Sequence, residues 1–130
     1  MSAQTNRQFI TRYLEAINGK PKPPELVARF VEDQALKEHI ALFEAAFPSY
    51  ELRSDDMVAE GDKVAVRTTF RGVHRGEFYG IPATGREVVC SVMLIYRVAG
   101  DKIVEHHMNA DNLSVLQQLG AIPAPQSVTA

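Results

Sequence analysis

The chain has 130 residues, 45% of them hydrophobic and 23% charged, which is the balance of one soluble globular domain and not of a disordered segment. Its 14 Lys and Arg against 16 Asp and Glu leave a net charge of -2 without a basic stripe, so no nucleic-acid partner is expected. Met1 to Arg12 is too polar for a signal peptide and no apolar run nears the roughly 18 residues that span a bilayer, which predicts a cytoplasmic setting and no membrane partner.

In chain order, Phe9, Ile10, Tyr13, Leu14 and Ile17 fall on one face of a helix that Asn18-Gly19 ends. Beyond the proline-rich stretch Lys20 to Pro24, Pro24 opens a short helix holding Leu26, Val27 and Phe30. A third helix is expected from about Asp33 to Phe47, with Leu36, Ile40, Phe43 and Phe47 on its apolar side and Pro48 as its stop. The period then changes to two. Leu52 to Ala59 reads as a strand, followed by the turn Glu60-Gly61-Asp62. Val64 to His74 is a long strand whose even positions, Phe70 and His74 among them, differ from its odd ones. A loop of small residues runs from Gly76 to Gly85. The next strand, Glu87 to Val98, is apolar at both parities, which suggests burial on both sides. Ala99-Gly100-Asp101 turns the chain into Ile103 to Ala110, and Leu113 to Leu119 forms a last short helix before Gly120. The expected fold class is α+β: one domain over residues 1–122, its helices packed on one face of an antiparallel sheet, with a frayed tail at 123–130. A long twisted sheet that curls around a helix leaves a cavity, and a site belongs there.

Several patterns exclude chemistry. Gly72, Gly76, Gly80 and Gly85 lack the Gly-Lys-Ser/Thr of a phosphate loop. His106 and His107 are strand neighbours that point to opposite faces, so they do not share an ion, and no metal is expected. Cys90, the single cysteine, reads as a packed thiol on an apolar strand. The informative segment is 103–111, where Glu105, His107, Asn109 and Asp111 share one parity. Four polar side chains on one strand face either meet solvent or line a pocket. A His and an Asp converging in an apolar cavity suit acid–base work, because desolvation lifts a carboxyl pKa towards neutrality. The bland readings stand beside these. Asp111 precedes the last helix and suits its N-cap, His74 could be a loop histidine, His107 a satisfied core histidine, and Tyr13 a core residue. His39 sits among polar residues on a helix and is assigned no chemistry.

The stretch Phe70 to Gly85, with Gly72, His74, Gly76 and Ile81-Pro82-Ala83-Thr84-Gly85, resembles the SnoaL-like polyketide cyclases of the nuclear-transport-factor-2-like superfamily. Ile95-Tyr96-Arg97, Lys102 to His106, Asp111 and Leu116 to Gly120 follow in the family's order. The resemblance implies a cone-shaped, curved sheet around a deep apolar pocket and a homodimer or higher oligomer. It implies a cofactor-free intramolecular aldol ring closure with Asp111 as acid–base catalyst. His74 and His107 are then further catalytic candidates, and Tyr13, Asn109 and Phe70 are candidate contacts to a small apolar carbonyl compound. The chain departs from the family where His107 replaces a tryptophan and Val73 a threonine. Two alternatives remain: a non-catalytic, dimeric module for small apolar ligands, or a related isomerase or epoxide hydrolase. The hydrolase would use an arginine beside Asp111, and Arg67 has the wrong parity for that.

Overall fold

The computed structural model describes residues 2–123, so residues 124–130 of the expected tail lie outside the described residues. Helix α1, Ala3–Ile17, starts at Ser2, whose side chain accepts the Thr5 N–H, and buries Phe9, Ile10, Tyr13, Leu14 and Ile17. Helix α2, Pro24–Phe30, begins at a proline whose missing N–H costs nothing in a first turn. Helix α3, Gln34–Ala46, is capped by Asp33, which accepts the N–H groups of Ala35 and Leu36. Four strands follow, β1 Glu51–Glu60, β2 Lys63–Val73, β3 Glu87–Ala99 and β4 Lys102–Ala110, and then helix α4, Asn112–Gln118. The strands pair in chain order, all antiparallel, in one sheet. The α+β architecture is the one expected.

Register decides which side chains face the helices. One inward row runs Met57, Val66, Leu94, Met108, and its neighbour Thr68, Val92, Ala110. The adjacent outward row runs Val58, Ala65, Ile95, His107, beside Asp56, Arg67, Met93, Asn109. The inward rows make the core with α1 and α3, while Val58, Ile95 and Met93 stay exposed. The expectation that β3 is buried on both sides therefore holds for one side only. Its even positions from Val88 to Val98 are buried, whereas nothing in a single chain covers Met93 and Ile95.

The loop from His74 to Arg86 is tied at both ends. The N–H of His74 donates to Arg86 O at 2.9 Å, and that of Gly85 to His74 O at 2.8 Å. Arg75 and Gly76 donate to Ala46 O at 3.0 and 3.1 Å, satisfying a carbonyl at the open end of α3. This close approach explains two glycines. A Cβ on Gly76 would run into the Ala45 carbonyl, and one on Gly72 would stand 2.8 Å from the Phe47 Cβ.

Candidate functional site

The sheet curls over α1 and α3 and leaves a narrow cavity, about 40 Å³ measured at the centres of water-sized spheres, that opens to solvent. Its wall is mainly apolar, with Phe43, Phe47, Phe70, Leu94 and Met108 among the lining side chains. The aromatic residues brace one another: Phe70 meets Phe47 edge-on at 5.2 Å and Tyr50 at 5.1 Å between ring centroids.

The polar atoms in this wall are few. Tyr13 from α1, Tyr50 between α3 and β1, and Tyr96 from β3 all line it. Burial is the main cause that raises each phenol pKa above its ordinary value, and the neighbouring phenols of the group add to it at Tyr13 and Tyr96. All three thus remain protonated donors at neutral pH. His39 is pushed down to about 4 by burial and then by the charge of His106, which makes it a neutral imidazole in the wall. The Cys90 thiol is pushed up to about 11 by burial and then by the negative charge of Asp111.

The sequence-derived candidates divide between the two sheet faces. Tyr13 and Phe70 reach the cavity wall. Asp111 is exposed and caps α4, its Oδ1 accepting the Ser114 N–H at 3.1 Å. Its chain neighbours Ala110 and Asn112 line the cavity, and its charge acts on Cys90, so the carboxylate sits at the cavity's edge without the expected desolvation. His107 and Asn109 lie in the outward rows. The His107 ring is 72% exposed and its Nε2 is 3.0 Å from Glu105 Oε1. The polar parity of 103–111 thus meets solvent rather than the pocket, because the pleat gives the inward parity to His106, Met108 and Ala110. His106 turns towards the helices, 2.7 Å from Asp33 Oδ2 at the start of α3. His74 is fully buried but stands behind Phe47, with ring centroids 5.4 Å apart, and does not line the cavity. The structure therefore does not bring His74, His107 and Asp111 together. Among the described residues, no three His, Cys, Asp or Glu side chains are grouped so that they could hold a metal ion.

Tyr50, Tyr96, His39, Cys90 and Asn112 line the cavity without having been singled out as site residues. Tyr96 shares the even parity of Val92 and Leu94, a signal that was available. Tyr50 lies between elements, where no periodicity assigns a face, and His39 is turned inwards by α3 despite its polar neighbours.

A family model, SnoaL-like polyketide cyclase, matches residues 14–119. The chain belongs to the SnoaL-like polyketide cyclase family. Among solved structures, this SnoaL-like chain is similar to AclR of Streptomyces galilaeus, a proposed hydroxylase, with 24% identity over 96% of this chain and 87% of that one and a TM-score of 0.82. TsrD of Streptomyces laurentii is 26% identical over 94% of this chain and 99% of its own, with a TM-score of 0.77. IdmH of Streptomyces antibioticus, a proposed polyketide cyclase, is 28% identical over 88% of this chain and 98% of its own, with a TM-score of 0.70. No curated protein matches the chain. Among the described residues, no helix of this SnoaL-like domain is long and apolar enough to cross a membrane.

Proposed function

We propose that this SnoaL-like protein closes a ring in a small polyketide-like carbonyl compound by a cofactor-free intramolecular aldol reaction, with Asp111 as the acid–base group. Asp111 takes a proton from the carbon beside a carbonyl. The C–H electrons become an enolate, which attacks a second carbonyl of the same molecule. A C–C bond forms, and the proton returns to the new alkoxide. Family membership supports a cyclase, and the observation that carries the assignment is Asp111 between two cavity-lining residues, Ala110 and Asn112. A substrate filling the mouth would cover the exposed carboxylate and shut water away from it. His74 acts in this reading as a positioning residue, backing Phe47 from behind. His107 and Asn109, on the outward face, take no part.

The test is ring closure on monocyclic and polycyclic β-keto esters, followed by mass spectrometry and NMR, with wild type and Asp111→Asn side by side. The variant is expected to lose about 10²–10⁴-fold in turnover, the usual contribution of a positioned acid–base group. An unchanged rate would remove Asp111 from the mechanism.

The assembly belongs to the same proposal. A strand written apolar at both parities, with Met93 and Ile95 exposed beside Val58, suits a sheet whose outer face meets a second copy of the chain.

A further inference from the structure

The phenol oxygens of Tyr13, Tyr50 and Tyr96 form no hydrogen bond with any described residue, and none bonds to another. Sealed polar atoms without a partner are confined, among the described residues, to the Asn6 amide oxygen and His74 Nε2. The three hydroxyls are thus unpaired without being sealed, and all three side chains line the cavity. Buried tyrosine hydroxyls ordinarily find a partner, and a wall needing only shape would be served by phenylalanine. The rings are also held in place. Tyr13 meets Tyr96 edge-on at 5.8 Å and Phe30 at 5.7 Å. Tyr50 lies between Phe70 and the buried Lys22, whose Nζ is 3.9 Å from the ring centroid and 3.0 Å from Glu44 Oε1. The cation on the ring face helps to fix the position of the Tyr50 ring.

We infer that the three tyrosines form an oxyanion seat, in which Tyr13, Tyr50 and Tyr96 donate together to one enolate or phenolate oxygen of a ligand. Donor number selects the ligand class. A neutral carbonyl oxygen offers two lone pairs, whereas an enolate or phenolate oxygen carries a further share of negative charge and takes a third donor. Two phenols that donate to one oxygen at about 2.7 Å stand roughly 4.4 Å apart at a tetrahedral angle, beyond hydrogen-bond reach of each other. Hydroxyls that line one cavity without bonding among themselves fit that spacing. A fixed set of donors in an apolar site favours the charged form over the neutral one, which is the direction an enolate-forming reaction needs. The inference rests on the cavity being the ligand site, as proposed above, but not on Asp111 being the base.

The test is binding and needs no turnover. The full chain is titrated with 4-nitrophenolate, at a pH above the ionisation of the phenol, and with nitrobenzene, which has the same ring and no oxygen to seat. Wild type is expected to bind the phenolate and shift its absorption band. Tyr13→Phe, Tyr50→Phe and Tyr96→Phe should each weaken phenolate binding about tenfold, as loss of a hydrogen bond to a charged acceptor does, and leave nitrobenzene binding within about twofold. Thermal unfolding should stay level or rise, since each change removes an unpaired hydroxyl. The inference is overturned if wild type does not take up the phenolate, if the variants bind it unchanged, or if both probes lose affinity equally. A marked fall in melting temperature would also overturn it, because the hydroxyl would then have a structural partner. Asp111→Asn, which removes a negative charge at the cavity's edge, should not weaken phenolate binding, so failure of the acid–base assignment and failure of the seat give different results.

Discussion

His74 Nδ1 accepts the backbone N–H of Thr84 at 3.1 Å, and Thr84 Oγ1 lies 3.0 Å from the same nitrogen and accepts the Arg86 N–H at 3.2 Å. One buried imidazole therefore staples both arms of the 74–86 loop against Phe47 and the end of α3. The ring proton then sits on Nε2, which is buried without a partner. The staple gives a structural reason for His74, Thr84 and Gly85 within the stretch Phe70 to Gly85 that resembles the family. His74→Ala should lower stability by about 2–4 kcal/mol, the scale of a buried cavity plus a freed N–H. Urea unfolding followed by circular dichroism measures it. Gly76→Ala, which forces a methyl onto the Ala45 carbonyl, should cost about 1–3 kcal/mol in the same experiment.

Asp111 carries both a capping role and a proposed chemical one, and two substitutions separate them. Asparagine also caps helices well, so Asp111→Asn should keep stability within about 0.5 kcal/mol, while Asp111→Ala should lose about 1 kcal/mol. Turnover should fall in both. If only the alanine variant lost turnover, the cap and not the acid–base group would be what the reaction needs.

Cys90 reports independently on the place of Asp111. With the thiol pushed up to about 11, iodoacetamide should react slowly at pH 8 and faster as pH rises towards that value. Removing the carboxylate charge in Asp111→Asn should move the alkylation profile to lower pH. An identical profile in both proteins would mean that the carboxylate does not reach the thiol.

His39 predicts a pH window for stability. Its folded pKa of about 4 lies below the value of about 6.5 for a free imidazole, so the unfolded chain binds the proton more readily. The stabilisation from keeping it neutral is complete above about 6.5, falls as pH drops, and is gone near 4. The shift corresponds to about 3 kcal/mol at most. Urea midpoints of wild type and His39→Gln should converge or cross between those limits, with the variant the less pH-dependent. Parallel curves would show that His39 titrates normally.

The outward row gives the test of assembly. Ile95→Lys and Met93→Glu place charges at the exposed apolar residues of the outward sheet face, where Met93 and Ile95 stand near Val58. If that face joins two copies, both variants should run as monomers in light-scattering chromatography while wild type runs as a dimer. A monomeric wild type would remove the dimer from the proposal.

Much of this molecule is local and could be read along the chain. Pro24, Asp33, Pro48 and Gly61 bound their elements through torsions and caps that involve only near neighbours. Alternation on β2 identified the buried parity, since a two-residue repeat leaves each side chain only two directions, whereas β3, apolar at both parities, was settled only by what covers it. What remained open was whatever depends on meeting another element. The polar parity of 103–111 fits a lined pocket and a wet sheet face equally well as a pattern. Only the pairing of Ile95 with His107 and of Leu94 with Met108 decided it, turning His107 and Asn109 outwards. Asp111 is a candidate from the parity of 103–111 and from the family resemblance, but whether its carboxylate is buried depends on how α4 begins. The three phenols stand 37 and 46 residues apart in the chain. No spacing rule connects them, and only the curl of the sheet over α1 brings their side chains to one cavity.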